Sequence, residues 1–289
     1  MEIKRIFTHE RVDLDAVCSL WAALRFIPEA RNAAVCFRPS NWDGAEMNED
    51  DIAVDMHAGG RGMKGRKEEN GTIHSCLALL ISRFASLEDR MALASLIAYV
   101  DADDVSGYPI KRIAPYLGKS ARHVIEAIDL KAVLRAINRS MHPRSDMAVV
   151  QSMFPILNGM FQDGHSKRRA IDEVKNIKRF AGGLIALKEN CKEPGVDQLL
   201  FEEGVWAIVF IEKMNIGILR GPDRSVRMDA PEVRRIIETA GETNEWFAHP
   251  AGFLYCRGSR TAKATTPSKV DPLELVQALD RAFASDMRD

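Results

Sequence analysis

The sequence predicts an α/β protein with an N-terminal parallel-sheet domain, a helical connector and a smaller C-terminal α/β domain. Three observations lead there. The short apolar runs "IKRIF" (3–7), "AAVCFRP" (33–39) and "DIAVDM" (51–56) read as strands, with helical periodicity between some of them, the pattern of βαβ units. From about 121 to 190 the periodicity is helical almost throughout. Beyond 196, strand and helix patterns alternate again. The predicted division is 1–120, 121–195 and 196–289.

The elements follow in order. "IKRIF" alternates apolar and charged residues. "LDAVCSLWAALRFI" places Val17, Leu20, Trp21 and Leu24 at helical spacing, and Pro28 and Glu29 end the run. After the Gly-rich loop "HAGGRGMKGRKEENG", the run "TIHSCLALLISRF" predicts a helix capped by Thr72. "LEDRMALASLIAYV" predicts another, ending in "DADD" and stopped by "SGYP". Helical breaks are expected at His142-Pro143 and at Pro155. "GHSKRR" (164–169) reads as an exposed helix start. "DEVKNIKRFAGGLIALKEN" reads as a helix leading to a boundary near 190–200, at "CKEPGVD". The remainder predicts strands at "VWAIVFI", "NIGILRG" and "AGFLYC" and helices at "PEVRRIIETA" and "PLELVQALDRAFA".

Composition narrows the function. The 289 residues are 46% hydrophobic and 28% charged, enough for a sizeable core. Forty basic residues against 41 acidic ones leave a net charge of −1, which argues against a polybasic partner for long nucleic acid. Cys18, Cys36, Cys76, Cys191 and Cys256 are scattered and odd in number, as expected of reduced thiols. The N-terminus lacks a signal pattern, and no apolar stretch reaches the roughly 18 residues of a membrane span. The expectation is a cytoplasmic protein without a membrane partner.

Chemistry gathers where apolar elements end. His9, Asp13 and Asp15 follow the first strand, Asp55 closes the third, and Asp101, Asp103 and Asp104 lie in "YVDADD". Parallel sheets bring functional groups together at the carboxyl ends of their strands. One imidazole with several carboxylates suits manganese, magnesium or a similar divalent ion. Asp55 is the candidate bridge should two ions bind. Three unpaired ionisable groups between a buried strand and a buried helix would be costly without a cation.

His-x3-Asp-x-Asp-Ala in "THERVDLDAVCSLWAAL", the strand-ending Asp of "DIAVD" and the acidic "LIAYVDADDVSG" resemble the DHH phosphoesterase superfamily. That group includes RecJ-like nucleases, nanoRNA and cyclic-dinucleotide phosphodiesterases and manganese pyrophosphatases. The resemblance covers roughly residues 3–110. It implies His9, Asp13, Asp15, Asp55 and Asp101 as metal ligands, with Asp103 and Asp104 open alternatives to Asp101. It also implies one or two manganese or magnesium ions, and a smaller C-terminal domain that binds substrate. The Asp-His-His tripeptide that names the family is absent. In its place stands "MHAGGRGMKGRKEENG", where His57 or His74 could replace the missing ligand. Arg61, Lys64, Arg66 or Lys67 could contact phosphate, on a Gly-rich loop whose backbone N–H groups suit an anion.

The stretch "AHPAGFLYCRGSRTAKATTPSKVDP" supplies a second basic group: His249, Arg257, Gly258, Ser259, Arg260, Lys263 and Lys269. Two guanidinium groups and hydroxyls beside a glycine form a phosphate or carboxylate grip. It resembles the family's substrate-holding loop without its Gly-Gly-His form. The leading expectation is a metal-dependent phosphoesterase, with Asp55, Arg61 and Lys64 in the catalytic group. Its substrate is expected to be a small phosphorylated molecule or short nucleotide, and a homodimer is compatible with this reading. Two alternatives stand beside it: an enzyme with one metal, and a catalytically silent relative that binds a nucleotide or other anion as sensor or partner. A dinucleotide-binding oxidoreductase is disfavoured, because no G-x-G-x-x-G follows the first strand.

Overall fold

The computed structural model describes residues 2–67, 73–106, 129–141, 143–222, 226–259 and 262–286. The chain is α/β and divides into two compact units, Met1–His165 and Ser166–Asp289.

In the first unit, β1 (Arg5–His9) lies between β2 (Ala34–Arg38) and β3 (Asp51–Ala53), and both pairings are parallel. Ile6, Phe7 and Thr8 are all buried, so the alternation in "IKRIF" gives way to burial on both faces, as a central parallel strand requires. Helix α1 (Leu14–Phe26) covers one face. Its Val17, Leu20 and Trp21 join a core with Leu77, Leu80 and Ile81 of α2 (Cys76–Phe84). Met47, Ala53, Met56 and Ala58 pack with Phe7 in a separate cluster.

Helix α2 starts later than expected. Ser75, not Thr72, caps it by accepting from the Ala78 N–H at 3.2 Å, and Thr72 lies outside the described residues. Ahead of it, β4 (Arg66–Lys67) and β5 (Ile73–His74) pair antiparallel, a ladder the Gly-rich sequence did not signal. The next predicted helix is two: α3 (Leu87–Ala92), capped by Ser86, and α4 (Ala94–Ser106). Asp101, Asp103 and Asp104 therefore sit inside a helix, where i and i+3 share a face. The "SGYP" stop falls largely outside the described residues.

Helix α5 (Leu130–Ser140) starts at Asp129, whose carboxylate accepts from the Ala132 N–H. Helix α6 (Asp146–Lys175) runs through Pro155 instead of breaking there. Met153 and Leu157, both fully buried, fix the turns around the proline, so packing overrides the missing hydrogen bond. His165 and the rest of "GHSKRR" lie within this helix, not at a start, and His165 Nε2 is hydrogen-bonded to Asp89 at 3.0 Å.

The second unit holds a six-stranded sheet in the order β10-β11-β9-β8-β7-β6. Its strands are β6 (Lys178–Phe180), β7 (Ile185–Glu189), β8 (Ala207–Glu212), β9 (Asn215–Arg220), β10 (Phe247–Ala248) and β11 (Leu254–Arg257). Only β7 and β8 pair in parallel. The helix expected over 172–190 is corrected: it stops at Lys175, and 178–189 form a hairpin around Gly182 and Gly183, both at positive φ. Two glycines free to turn left-handed break a helix more readily than the flanking residues extend it. One sheet face packs on α8 (Pro231–Thr239) and α9 (Pro272–Asp286) through Val233, Ile237, Leu275, Leu279 and Phe283. The other packs on α7 (Val196–Glu202) through Val196 and Leu200, with Ala170 and Val174 of α6. No helix among the described residues is long and apolar enough to cross a membrane.

Candidate metal centre

Register alone brings the first ligands together. His9 ends β1, and Phe7 of β1 lies opposite Ala53, the last residue of β3. Asp55 follows two residues later. Its φ of 52° is left-handed backbone, which Asp tolerates better than bulkier residues. Its N–H donates to the buried Cys76 Sγ at 3.2 Å, which helps hold that turn. Asp13 is the N-cap of α1 and accepts from the Ala16 N–H at 3.0 Å, leaving its other oxygen outward.

The three side chains meet. His9 Nε2 is 3.2 Å from Asp55 Oδ2 and 3.7 Å from Asp13 Oδ2, and one donor atom from each residue lies within 4.8 Å of the others. Hydrogen bonds to Asp13 and Asp55 push the His9 imidazole up to about 10, against the opposing effect of burial. Burial raises Asp55 above the ordinary carboxylate range despite the opposing bond to His9. Asp13 is exposed, and against a desolvation cost its bonds with His9 and the Ala16 N–H hold it below that range. Protonated, the His9 imidazole places a positive charge between the two carboxylates.

Asp15 is close by but differently employed. Its carboxylate accepts from the N–H groups of Cys76 at 2.7 Å and Leu77 at 2.9 Å and from the Ser19 hydroxyl at 3.1 Å. It sits at the N-terminus of α2, where backbone donors favour an anion. Even so, burial and the negative charge of Asp55 push it up to about 7. The convergent donors of His9, Asp13 and Asp55, one imidazole and two carboxylates, suit a hard divalent cation.

The acidic helix α4 divides its work. Asp101 accepts from the Ser75 N–H at 2.9 Å and from the Ser75 hydroxyl, and lies 3.8 Å from His74 Nδ1. Asp103 pairs with Lys131 at 2.6 Å. Asp104 is raised by burial and then by the charges of Asp55 and Asp13. Asp101 thereby anchors the start of α2.

From the Gly-rich loop, Lys64 reaches the centre. Lys64 Nζ is 3.7 Å from Asp55 Oδ1. Arg61 turns elsewhere: it donates to the Met47 carbonyl at 3.0 Å and lines another cavity with Lys4, Asn48 and Asp50. Arg66 is exposed, and the Lys67 side chain is outside the described residues. His57 is exposed outside the three-residue group, its carbonyl accepting from Gly60 and Gly62 N–H. Those bonds close a turn in which a Cβ on Gly62 would lie 2.0 Å from the Met56 carbonyl oxygen. His74 stands beside Asp101, also outside the group.

One positioning residue had no sequence signal. Asp146, at the start of α6, accepts from the N–H groups of Arg11 at 3.0 Å and Val12 at 3.3 Å. Arg11 has a φ of 57°, so this bond holds the loop from His9 to Asp13 in an unusual shape.

In the second unit Arg257 is engaged within its own fold. Arg257 is buried, 4% exposed, and all three guanidinium nitrogens are engaged: Nε and Nη2 with Glu245, Nη1 and Nη2 with Thr266. It is a structural ion pair. Gly258 has a φ of 81°, and Asn215 ties its loop to Ser259 and Ala264. Ser259 closes the same turn by accepting from the Ala262 N–H, and His249 accepts from Ala251. Lys263 and Lys269 are exposed, and Arg260 is outside the described residues.

No known family profile matches the chain, and no curated protein matches it. Among solved structures, the chain is similar to RecJ from Thermus thermophilus in complex with Mg2+, at 14% identity and a TM-score of 0.30, over 99% of this chain and 50% of that one. It is similar to the Mn2+ complex of RecJ from Thermus thermophilus at 13% identity and a TM-score of 0.30, over 99% and 52%. A third likeness is to an exonuclease RecJ bound to manganese, at 13% identity and a TM-score of 0.29, over 99% and 91%. The chain spans about half the length of the Thermus thermophilus chains. At these scores the candidate centre stands on its own distances.

Proposed function

We propose that the chain is a divalent-metal-dependent phosphoesterase acting on a small phosphorylated molecule or short nucleotide. The observation that carries this reading is the convergence of His9, Asp13 and Asp55 donor atoms within 4.8 Å of one another. Manganese or magnesium is the proposed ion, held by these three residues with Asp104 or Asp15 beside them. When bound, it would neutralise charge on the phosphoryl oxygens and make water a better nucleophile. Lys64, at 3.7 Å from Asp55, is placed to contact a non-bridging phosphate oxygen.

A single ion is favoured over two. Lys64 brings a fixed positive charge to one side of Asp55, and both Asp15 oxygens already serve the α2 N-terminus. The absence of Asp-His-His fits the same reading. The test is hydrolysis of bis(p-nitrophenyl) phosphate and p-nitrophenyl phosphate with added manganese or magnesium. Metal-dependent turnover lost in His9→Ala supports the proposal. Stoichiometric manganese binding with no turnover on any phosphoester would favour a silent anion-binding protein instead.

A further inference from the structure

Beside the metal-ligand candidates lies a cavity of about 340 Å³, lined by Asp13, Asp15, Asp103 and Asp104 on one side and by Lys131, Arg135 and Asn138 on the other. The three last residues are spaced i, i+4 and i+7, so they form one face of helix α5. Lys131 is held by Asp103 at 2.6 Å. Arg135 is half-buried, and no ion pair or hydrogen bond of its guanidinium is found among the described residues. Asn138 spends its amide N–H on the Leu134 carbonyl at 3.2 Å, while its Oδ1 is buried with no partner among the described residues. A buried acceptor left unpaired is unfavourable, and a bound group can remove that cost. Among the described residues no carboxylate lies within ion-pair distance of Arg135, so its guanidinium fork is open to a planar or tetrahedral oxyanion that arrives with the substrate.

We propose that this face of α5 is the substrate-recognition wall of the centre: Arg135 binds the phosphate, and Asn138 Oδ1 accepts a hydroxyl or amino hydrogen from the group esterified to it. This rests on the phosphoesterase reading and adds a substrate class: a small phosphate ester that carries a hydrogen-bond donor near the phosphate. The cavity is at the small end of the roughly 300–1,000 Å³ range of ligand sites, so one nucleotide-sized group fills it. Neither a bare apolar ester nor an inorganic ion uses both contacts.

The test is calorimetric titration of the manganese-treated full chain with inorganic phosphate, AMP, 2′,3′-dideoxyadenosine monophosphate and purine riboside monophosphate. Manganese uptake is measured first. Arg135→Gln should weaken phosphate and AMP by roughly tenfold or more, the loss of a charged hydrogen bond, with Arg135→Lys less affected. Asn138→Ala should weaken AMP several-fold and leave phosphate unchanged. Disappearance of that effect with the dideoxy ligand assigns the donor to the sugar, and with purine riboside monophosphate to the base amino group. Undiminished AMP and phosphate binding in Arg135→Gln, with manganese uptake intact, overturns the wall and spares the metal reading. No manganese uptake, with AMP affinity still lost in Arg135→Gln, overturns the metal reading and supports the wall. Wild-type protein that binds neither phosphate nor AMP overturns the wall outright.

Discussion

His9 carries two demands that conflict in the metal-free protein. Its imidazole is held protonated, up to about 10, by Asp13 and Asp55, yet a cation needs its neutral nitrogen. Asp15, pushed up to about 7 by burial and then by Asp55, is also partly protonated at neutral pH. Both folded-state values lie above the ordinary ones, so both groups stabilise the metal-free fold most at low pH. The Asp15 contribution is lost as pH rises from about 4 to about 7, and that of His9 from about 6.5 to about 10. Thermal melts of the metal-free protein should therefore show falling stability across these windows, and His9→Gln should remove the upper part of the fall. Manganese binding at pH 7 should release about one proton or more, seen as a dependence of the binding enthalpy on the buffer's ionisation heat. Identical enthalpies in phosphate-free buffers of different ionisation heat would show that no proton leaves.

Helices and strands place these residues, and some of that placement was legible in advance. The β1-α1 junction was, because apolar strand, polar triplet and apolar helix follow one another in "IKRIFTHERVDLDAVCSLWAAL". The anchoring by Asp146 was not, because a contact between residues 11 and 146 leaves no local pattern. Asp146→Ala should cost about 1 kcal/mol in chemical denaturation and weaken manganese by roughly tenfold, since it frees the loop that joins two ligands. The role of Arg257 was misread for a related reason. A basic residue beside a glycine looks the same in sequence whether it faces solvent or the carboxylates of Glu242 and Glu245. Removing it leaves Glu242 buried without that cation, so Arg257→Ala should destabilise the second unit by about 3–5 kcal/mol. Manganese affinity should not change. Loss of manganese binding without loss of stability would return Arg257 to the functional set.

Across the whole chain, the α/β class and the parallel order around β1 followed from the run of strand and helix patterns. The hairpin at 178–189 did not, because apolar residues at "LIAL" satisfy helix and strand periods alike, and only partner strand β8 decides between them. The same holds for the acidic helix α4, where three aspartates in four residues look equivalent until Ser75, Lys131 and Asp55 sort them. What sequence cannot express here is direction: which side chain turns toward the centre and which toward a neighbour. The convergence at the carboxyl ends of β1 and β3 nevertheless leaves a definite physical consequence. Buried like charges at Asp15 and Asp55 are tolerated when a cation joins them and resisted when it does not.

Calorimetric titration of the intact chain with manganese, beside Asp55→Ala, bears on that consequence without any substrate. Wild-type protein should take up close to one ion per chain, and Asp55→Ala should bind at least roughly tenfold more weakly while keeping its circular dichroism spectrum. Equal affinity in the two proteins, or no uptake by either, would mean that His9, Asp13 and Asp55 meet without holding a metal.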